Sequence, residues 1–122
     1  MSSYAKPCIL TFKAGAAIPE GSVVKPGADN QHVLKSASAA SKNFGIAQNA
    51  ATLAEDKVEV ALPGGGGKGL AGGAILFGDL LTSDVNGALV ATTTANDRVV
   101  AVAMDDAATG DLFSLQVVVS NV

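Results

Sequence analysis

The sequence predicts an all-β fold: a small barrel or sandwich of many short strands, built from two pseudo-repeats, with an extended N-terminal arm. Three observations lead there. Short apolar or alternating runs recur along the chain, separated by Gly, Pro, Asn and Asp turn chemistry. No stretch carries the 3.6-residue periodicity of a helix of ordinary length, so the strands have only each other to pack against. Finally, the second half of the chain repeats the first at a spacing of 57 residues, seen where Gly21-Ser-Val-Val-Lys25 matches Gly78-Asp-Leu-Leu-Thr82.

The elements follow in chain order. Cys8 to Phe12 is a strand candidate bounded by Pro7 and Gly15, and it lies outside the duplication. Residues 1–16 are therefore read as an N-terminal arm or first strand. An arm of that kind pairs with a neighbour's sheet edge, whereas a first strand belongs to the core; the sequence leaves both open. Pro19-Glu-Gly21 is a turn, Ser22 to Lys25 a strand stopped by Pro26-Gly27, and Asp29-Asn30 another turn. His32 to Lys35 and Phe44 to Ala47 are short strands around a Ser/Ala-rich loop, and Gln48 to Leu53 is a turn or single helical turn. Lys57 to Leu62 alternates with a period of two and so has one wet face. Residues 63–73 hold seven of the chain's 14 glycines and are read as a loop linking the halves.

The second half then shows runs at Gly78 to Thr82, Asn86 to Val90, Arg98 to Ala103 and Gly110 to Val119. Ala50-Ala-Thr52 matches Ala107-Ala-Thr109, and Val58 and Val60 match Leu115 and Val117, at the same spacing. Gly45-Ile-Ala47 falls on Ala101-Val-Ala103 with a slip of one residue. The organisation expected is a single β domain over 17–122, with pseudo-repeats at 17–62 and 74–119. Each copy is too small to close its own core, so the two should pack as one unit.

With 122 residues the chain suits one domain. Trp is absent and the aromatics are Tyr4, Phe12, Phe44, Phe77 and Phe113, so the core must be aliphatic. Many of its residues are Ala and Gly, which bury little area, and oligomerisation would supply the burial they lack. The net charge of −3 is unevenly placed: residues 1–42 carry five lysines against Glu20 and Asp29, and the remainder is acidic. No basic cluster interleaved with aromatics exists, which argues against nucleic acid. No run approaches a membrane span, no signal peptide is apparent, and the lone Cys8 permits no intrachain disulfide.

Candidate chemistry fails on spacing. Gly64 to Gly69 lacks the leading Gly and the Ser/Thr after Lys68 of a phosphate loop. Asp105, Asp106 and Asp111 lack the regular ligand spacing of a calcium loop and read as turn residues. His32, the only histidine, supports neither a zinc site nor a triad and is expected on the surface, and Cys8 has no activating context. No catalytic, cofactor or metal site is expected, and no small-molecule substrate.

Gly78 to Val90 followed by Arg98 to Leu112, with a weaker copy in Ala17 to Val24 and Gly45 to Ala47, resembles the capsid cement, or head decoration, proteins of tailed bacteriophages. The resemblance spans about Ala14 to Val119. It implies an all-β homotrimer made in the host bacterial cytoplasm. In the virion it sits on the outer capsid surface near three-fold positions and clamps subunits of the major capsid protein. The residues expected to touch capsid are Tyr4, Lys6, Ile9, Leu10, Phe12 and Lys13, because they lie outside the duplication. The alternative is a β-domain binding module of a tail, fibre or surface protein that recognises carbohydrate or a receptor. Against it, sugar sites present stacked aromatics, and here five are scattered.

Overall fold

A computed structural model describes residues 8–94 and 97–121. Its described residues form ten strands and no helix. The first five are β1 (Ile9–Ala14), β2 (Val23–Pro26), β3 (His32–Lys35), β4 (Gly45–Ala47) and β5 (Lys57–Ala61). They close into a barrel in the order β1-β3-β2-β4-β5. The other five are β6 (Gly66–Leu70), β7 (Leu80–Ser83), β8 (Leu89–Ala91), β9 (Arg98–Ala103) and β10 (Leu112–Asn121), ordered β6-β10-β9-β7-β8.

These two orders are the same order. Each strand of the first half has its counterpart five strands later, and four of the barrel's five pairings recur as ladders in the second sheet. The fifth, which closes the barrel, is reduced there to a single bridge, so the second sheet stays open. β1 meets β3 in parallel at Ala14 and Val33, and the second half repeats this as the parallel bridge between Ala71 and Leu89. The bridge between Ile18 and Ala51 recurs between Ile75 and Ala107.

Register shows how the copies drifted. The spacing is 57 residues through β2 and β7, where Val24 corresponds to Leu81. It falls to 56 at Ala51 and Ala107, and to 55 at β5 and β10, where Val58 corresponds to Phe113 and Val60 to Leu115. The one-residue slip expected at Gly45 to Ala47 holds, but the matches expected at 57 for Ala50 to Thr52 and for Val58 and Val60 are corrected: two single-residue deletions in turns shift them.

Two further expectations change. The stretch from Ile9 to Ala14 is an integral strand, paired with β5 over five positions, and is the counterpart of β6. It therefore lies inside the duplication. The Gly-rich segment, read as a loop, contains β6, which pairs with β10 from Leu70↔Leu112 to Gly66↔Gln116. Its glycines provide clearance rather than slack. A Cβ on Gly67 would lie 3.0 Å from the Gln48 amide, and one on Gly69 would collide with Leu89 and come within 2.5 Å of Leu115.

The halves do not share one core evenly. Ala14, Ile18, Val24, Val33, Ala47, Ala51, Val58 and Val60 fill the first barrel, with Phe12, Phe44 and Leu62 packed at its margin. The other cluster holds Leu81, Leu89, Val100, Phe113, Leu115 and Val117, and Val23, Ile46 and Ala61 of the first half join it. This explains the paired apolar residues of β2 and β4. Successive side chains face opposite ways, so Val24 fills the barrel while Val23 seals it against the second sheet. At about 1.5–3 kcal/mol for each fully buried Val or Ile side chain, Val23 and Ile46 stabilise the junction substantially, and the smaller Ala61 adds less.

Hydrogen bonds complete the junction. Val23 N–H donates to Gly87 O (2.7 Å) and Leu70 N–H to Gly21 O (2.9 Å). The Gln48 side chain pairs with the β6 backbone as a strand would, donating to Lys68 O and accepting from Lys68 N–H, both at 3.0 Å. Arg98 Nε donates to Asn43 O at 2.6 Å.

Candidate functional site

The residues singled out from sequence for contact with another protein gather on β1, apart from Tyr4 and Lys6, which lie outside the described residues. Ile9, Leu10 and Lys13 are exposed. Phe12 is half-buried, with its ring edge-to-face against Phe44 at 5.7 Å, so it serves the barrel margin. β1 pairs with β3 only at Lys13 and Ala14. From Ile9 to Phe12 its β3-facing edge has no strand partner among the described residues. A hollow of about 340 Å³ opens there, lined by Leu10, Thr11, Phe12, Lys13, Asn30, Gln31 and Lys57.

Beside it lies a cluster that the sequence reading missed. His32 was expected to be a plain surface residue. Instead its Nδ1 is 2.7 Å from Asp29 Oδ1 and its Nε2 2.7 Å from Glu55 Oε2, and its side chain is only 20% exposed. Both ring nitrogens face carboxylates, and both can donate at once only when the imidazole is protonated. Asp29 foremost, then Glu55, raises the His32 pKa above its ordinary value. The His32 ring and the Gln31 N–H hold Asp29 below the usual carboxylate range. Glu55 reaches His32 from φ +72°, a left-handed conformation. Its counterpart in the second half is Gly110, at φ +90°. The first copy thus keeps a strained glutamate where the second has glycine, and gains a clamp from the turn before β5 to the start of β3. Asp29, three residues before His32, was the one sign of it in the sequence; Glu55 lies 23 residues away.

The acidic residues of the second half serve turns. Asp106 Oδ1 accepts from Phe77 N–H at 2.8 Å, Asp79 Oδ2 from Leu76 N–H at 2.9 Å, and Asp111 Oδ2 from Ala108 N–H at 3.1 Å. The turn carrying Leu76 and Phe77 is thereby fastened against the end of β9. Leu76 (64% exposed), Phe77 (67%) and Met104 (48%) form an apolar ledge there, next to Asp105 and Asp106. In the first half the same positions are Pro19, Glu20 and Gln48. Among the described residues no group of three His, Cys, Asp or Glu side chains is placed to hold a metal ion.

The chemistry on view is therefore that of contact surfaces: a basic hollow with a free strand edge on the first half, and an acidic apolar ledge on the second. A comparison with curated proteins finds no match. Among solved structures, the fold is similar to that of the head fibre gp8.5 N base of bacteriophage phi29. The TM-score is 0.72 at 19% identity, over 96% of this chain and 98% of that one. The family model described as phage cement protein matches residues 5–120, which takes in every strand of both halves but the last residue of β10. By that match the chain belongs to the phage cement proteins.

Proposed function

We propose that this protein binds the outer surface of the expanded phage head as a trimer and holds neighbouring major capsid subunits together, with no catalytic step. The observation that carries the reading is the family match across both sheets. The physical design supports it. Ten short strands, cross-braced by Gln48 and Arg98, make a stiff block that exposes Leu10, Leu76, Phe77 and Met104. A carbohydrate-binding module has less support, because Phe77 is the single exposed aromatic ring among the described residues and offers no stacked platform.

Assigning capsid contact to Ile9, Leu10, Phe12 and Lys13 rested on their lying outside the duplication, and β1 lies within it. Removing β1 would open the barrel, so binding is better tested on the intact chain. Purified protein is mixed with expanded capsids that lack it, and the particles are sedimented and imaged. Added density at three-fold positions outside the shell, with a higher capsid melting temperature, is expected. Protein left in the supernatant at saturating concentration refutes the role.

A further inference from the structure

Lys13 and Lys57 sit directly opposite one another in the β1–β5 register. Directly opposed like charges destabilise a strand pair. The corresponding pair in the second half, Leu70 and Leu112, is apolar and carries no such conflict. The nearby carboxylates of Asp29 and Glu55 are both engaged by His32. Among the described residues neither lysine has an acid within ion-pair distance. Both lysines line a hollow of about 340 Å³ together with Leu10 and Phe12, beside a strand edge with no strand partner among the described residues. Such a surface fits a partner that brings negative charge and an apolar side chain together.

The second half presents that combination. Leu76, Phe77 and Met104 stand exposed where the first half has Pro19, Glu20 and Gln48. Asp105 and Asp106 flank them, and no Lys or Arg pairs with either acid among the described residues. Asp79 and Asp106 already hold the Leu76-Phe77 backbone, so little ordering entropy is lost on contact. A phenylalanine ring is of a size the hollow admits.

We propose that copies of this chain associate head to tail, the Leu76-Phe77-Met104 ledge of one copy seating in the Lys13/Lys57 hollow of the next. In this head-to-tail arrangement the contact is heterologous and propagates until a ring closes. The inference rests on the trimeric form proposed above. Its test uses no capsid, so its failure leaves capsid binding standing.

The test is complementation between two defective chains. One carries Phe77→Glu; the other carries Lys13→Glu with Lys57→Glu. All three positions are exposed, and circular dichroism and melting confirm that each variant folds. Mass in solution is followed over a concentration series. Wild-type protein is expected to assemble, and each variant alone to associate about tenfold more weakly or worse. Mixed, the variants are expected to form one-to-one dimers, because one retains an intact hollow and the other an intact ledge. A wild type that stays at single-chain mass overturns the proposal, as do variants that assemble like wild type or a mixture that stays monomeric.

Discussion

Replacing Gly21 by alanine, with Gly78 as its internal control, measures how tightly the halves are clamped. The two glycines are repeat counterparts. Gly21 has φ +83° and donates to Ala47 O at 2.8 Å; Gly78 has φ +91° and donates to Ala103 O at 2.8 Å. Alanine suffers the left-handed backbone equally at both, about 1 kcal/mol. It also narrows the unfolded ensemble equally at both, so that effect cancels in the comparison. The surroundings differ. At Gly78 no atom lies within 4 Å of the new Cβ, whereas at Gly21 it would meet Leu70 N at 2.6 Å and Gly69 C at 3.0 Å. Those are backbone atoms of β6, which cannot rotate away. Relief requires β6 to retreat and stretch the Leu70 N–H bond to Gly21 O. Overpacking of this kind adds about 1–3 kcal/mol, and loss of the hydrogen bond about 1 kcal/mol more. Gly78→Ala should therefore cost about 1 kcal/mol and Gly21→Ala roughly 3–5 kcal/mol. Urea unfolding at a common slope, or a melting temperature about 3–4 °C lower per kcal/mol, reads the difference. Equal losses in the two variants would refute a tight junction at Gly21.

Two further outcomes follow from the same contacts. The raised His32 pKa means that its clamp contributes fully below the ordinary histidine value near 6.5 and fades as pH rises through the folded value. The melting temperature of wild type should thus fall from pH 6 upward by more than that of His32→Gln; parallel curves would show that the clamp carries no proton-linked stability. The lowered Asp29 pKa acts at the other end, where its contribution is lost only as pH drops below the usual carboxylate range. Arg98→Met removes the donor to the carbonyl of buried Asn43 and should cost about 1–3 kcal/mol in urea unfolding. Lys68→Met, at an exposed position, should stay within about 0.5 kcal/mol of wild type.

Strands were legible where turn residues bracket β-branched runs. His32 to Lys35 and Arg98 to Ala103 were read with the bounds the structure has. β6 was illegible because a glycine run signals chain freedom, while its cause here is the approach of Gln48, Leu89 and Leu115 from other elements. Closure of the first barrel was hidden for a related reason. Ile9 to Phe12 leaves most of its side chains exposed, and only the pairing with β5 marks it as structural. The His32 clamp depends on Glu55 adopting a backbone conformation that glutamate rarely takes, and no local pattern announces that. Leu10 and Lys13, singled out from the sequence, are exposed on β1, whereas nothing in the sequence singled out the exposed Leu76, Phe77 and Met104. Their ledge emerges only when the halves are superposed and Pro19, Glu20 and Gln48 are found in its place.

Duplication followed by divergence explains why two such similar halves differ so much in surface. Identical copies would repeat every contact surface and give a partner no preferred orientation. Here β1 holds Ile9, Leu10 and Lys13, with Lys57 across the strand pair, while its counterpart β6 is glycine-rich and its backbone is bridged by the Gln48 side chain. The first copy closes its own barrel and keeps its turn polar. The second leaves its sheet to be completed by Val23, Ile46 and Ala61 of the first and turns Leu76 and Phe77 outward. Each divergence is affordable only because the other copy compensates. The closed barrel supplies the apolar surface the open sheet requires, and the open sheet covers Val23 and Ile46, which would otherwise face water. The difference in surface between the halves, a basic hollow on the first and an acidic ledge on the second, thus arises from the same exchange that stabilises the fused chain.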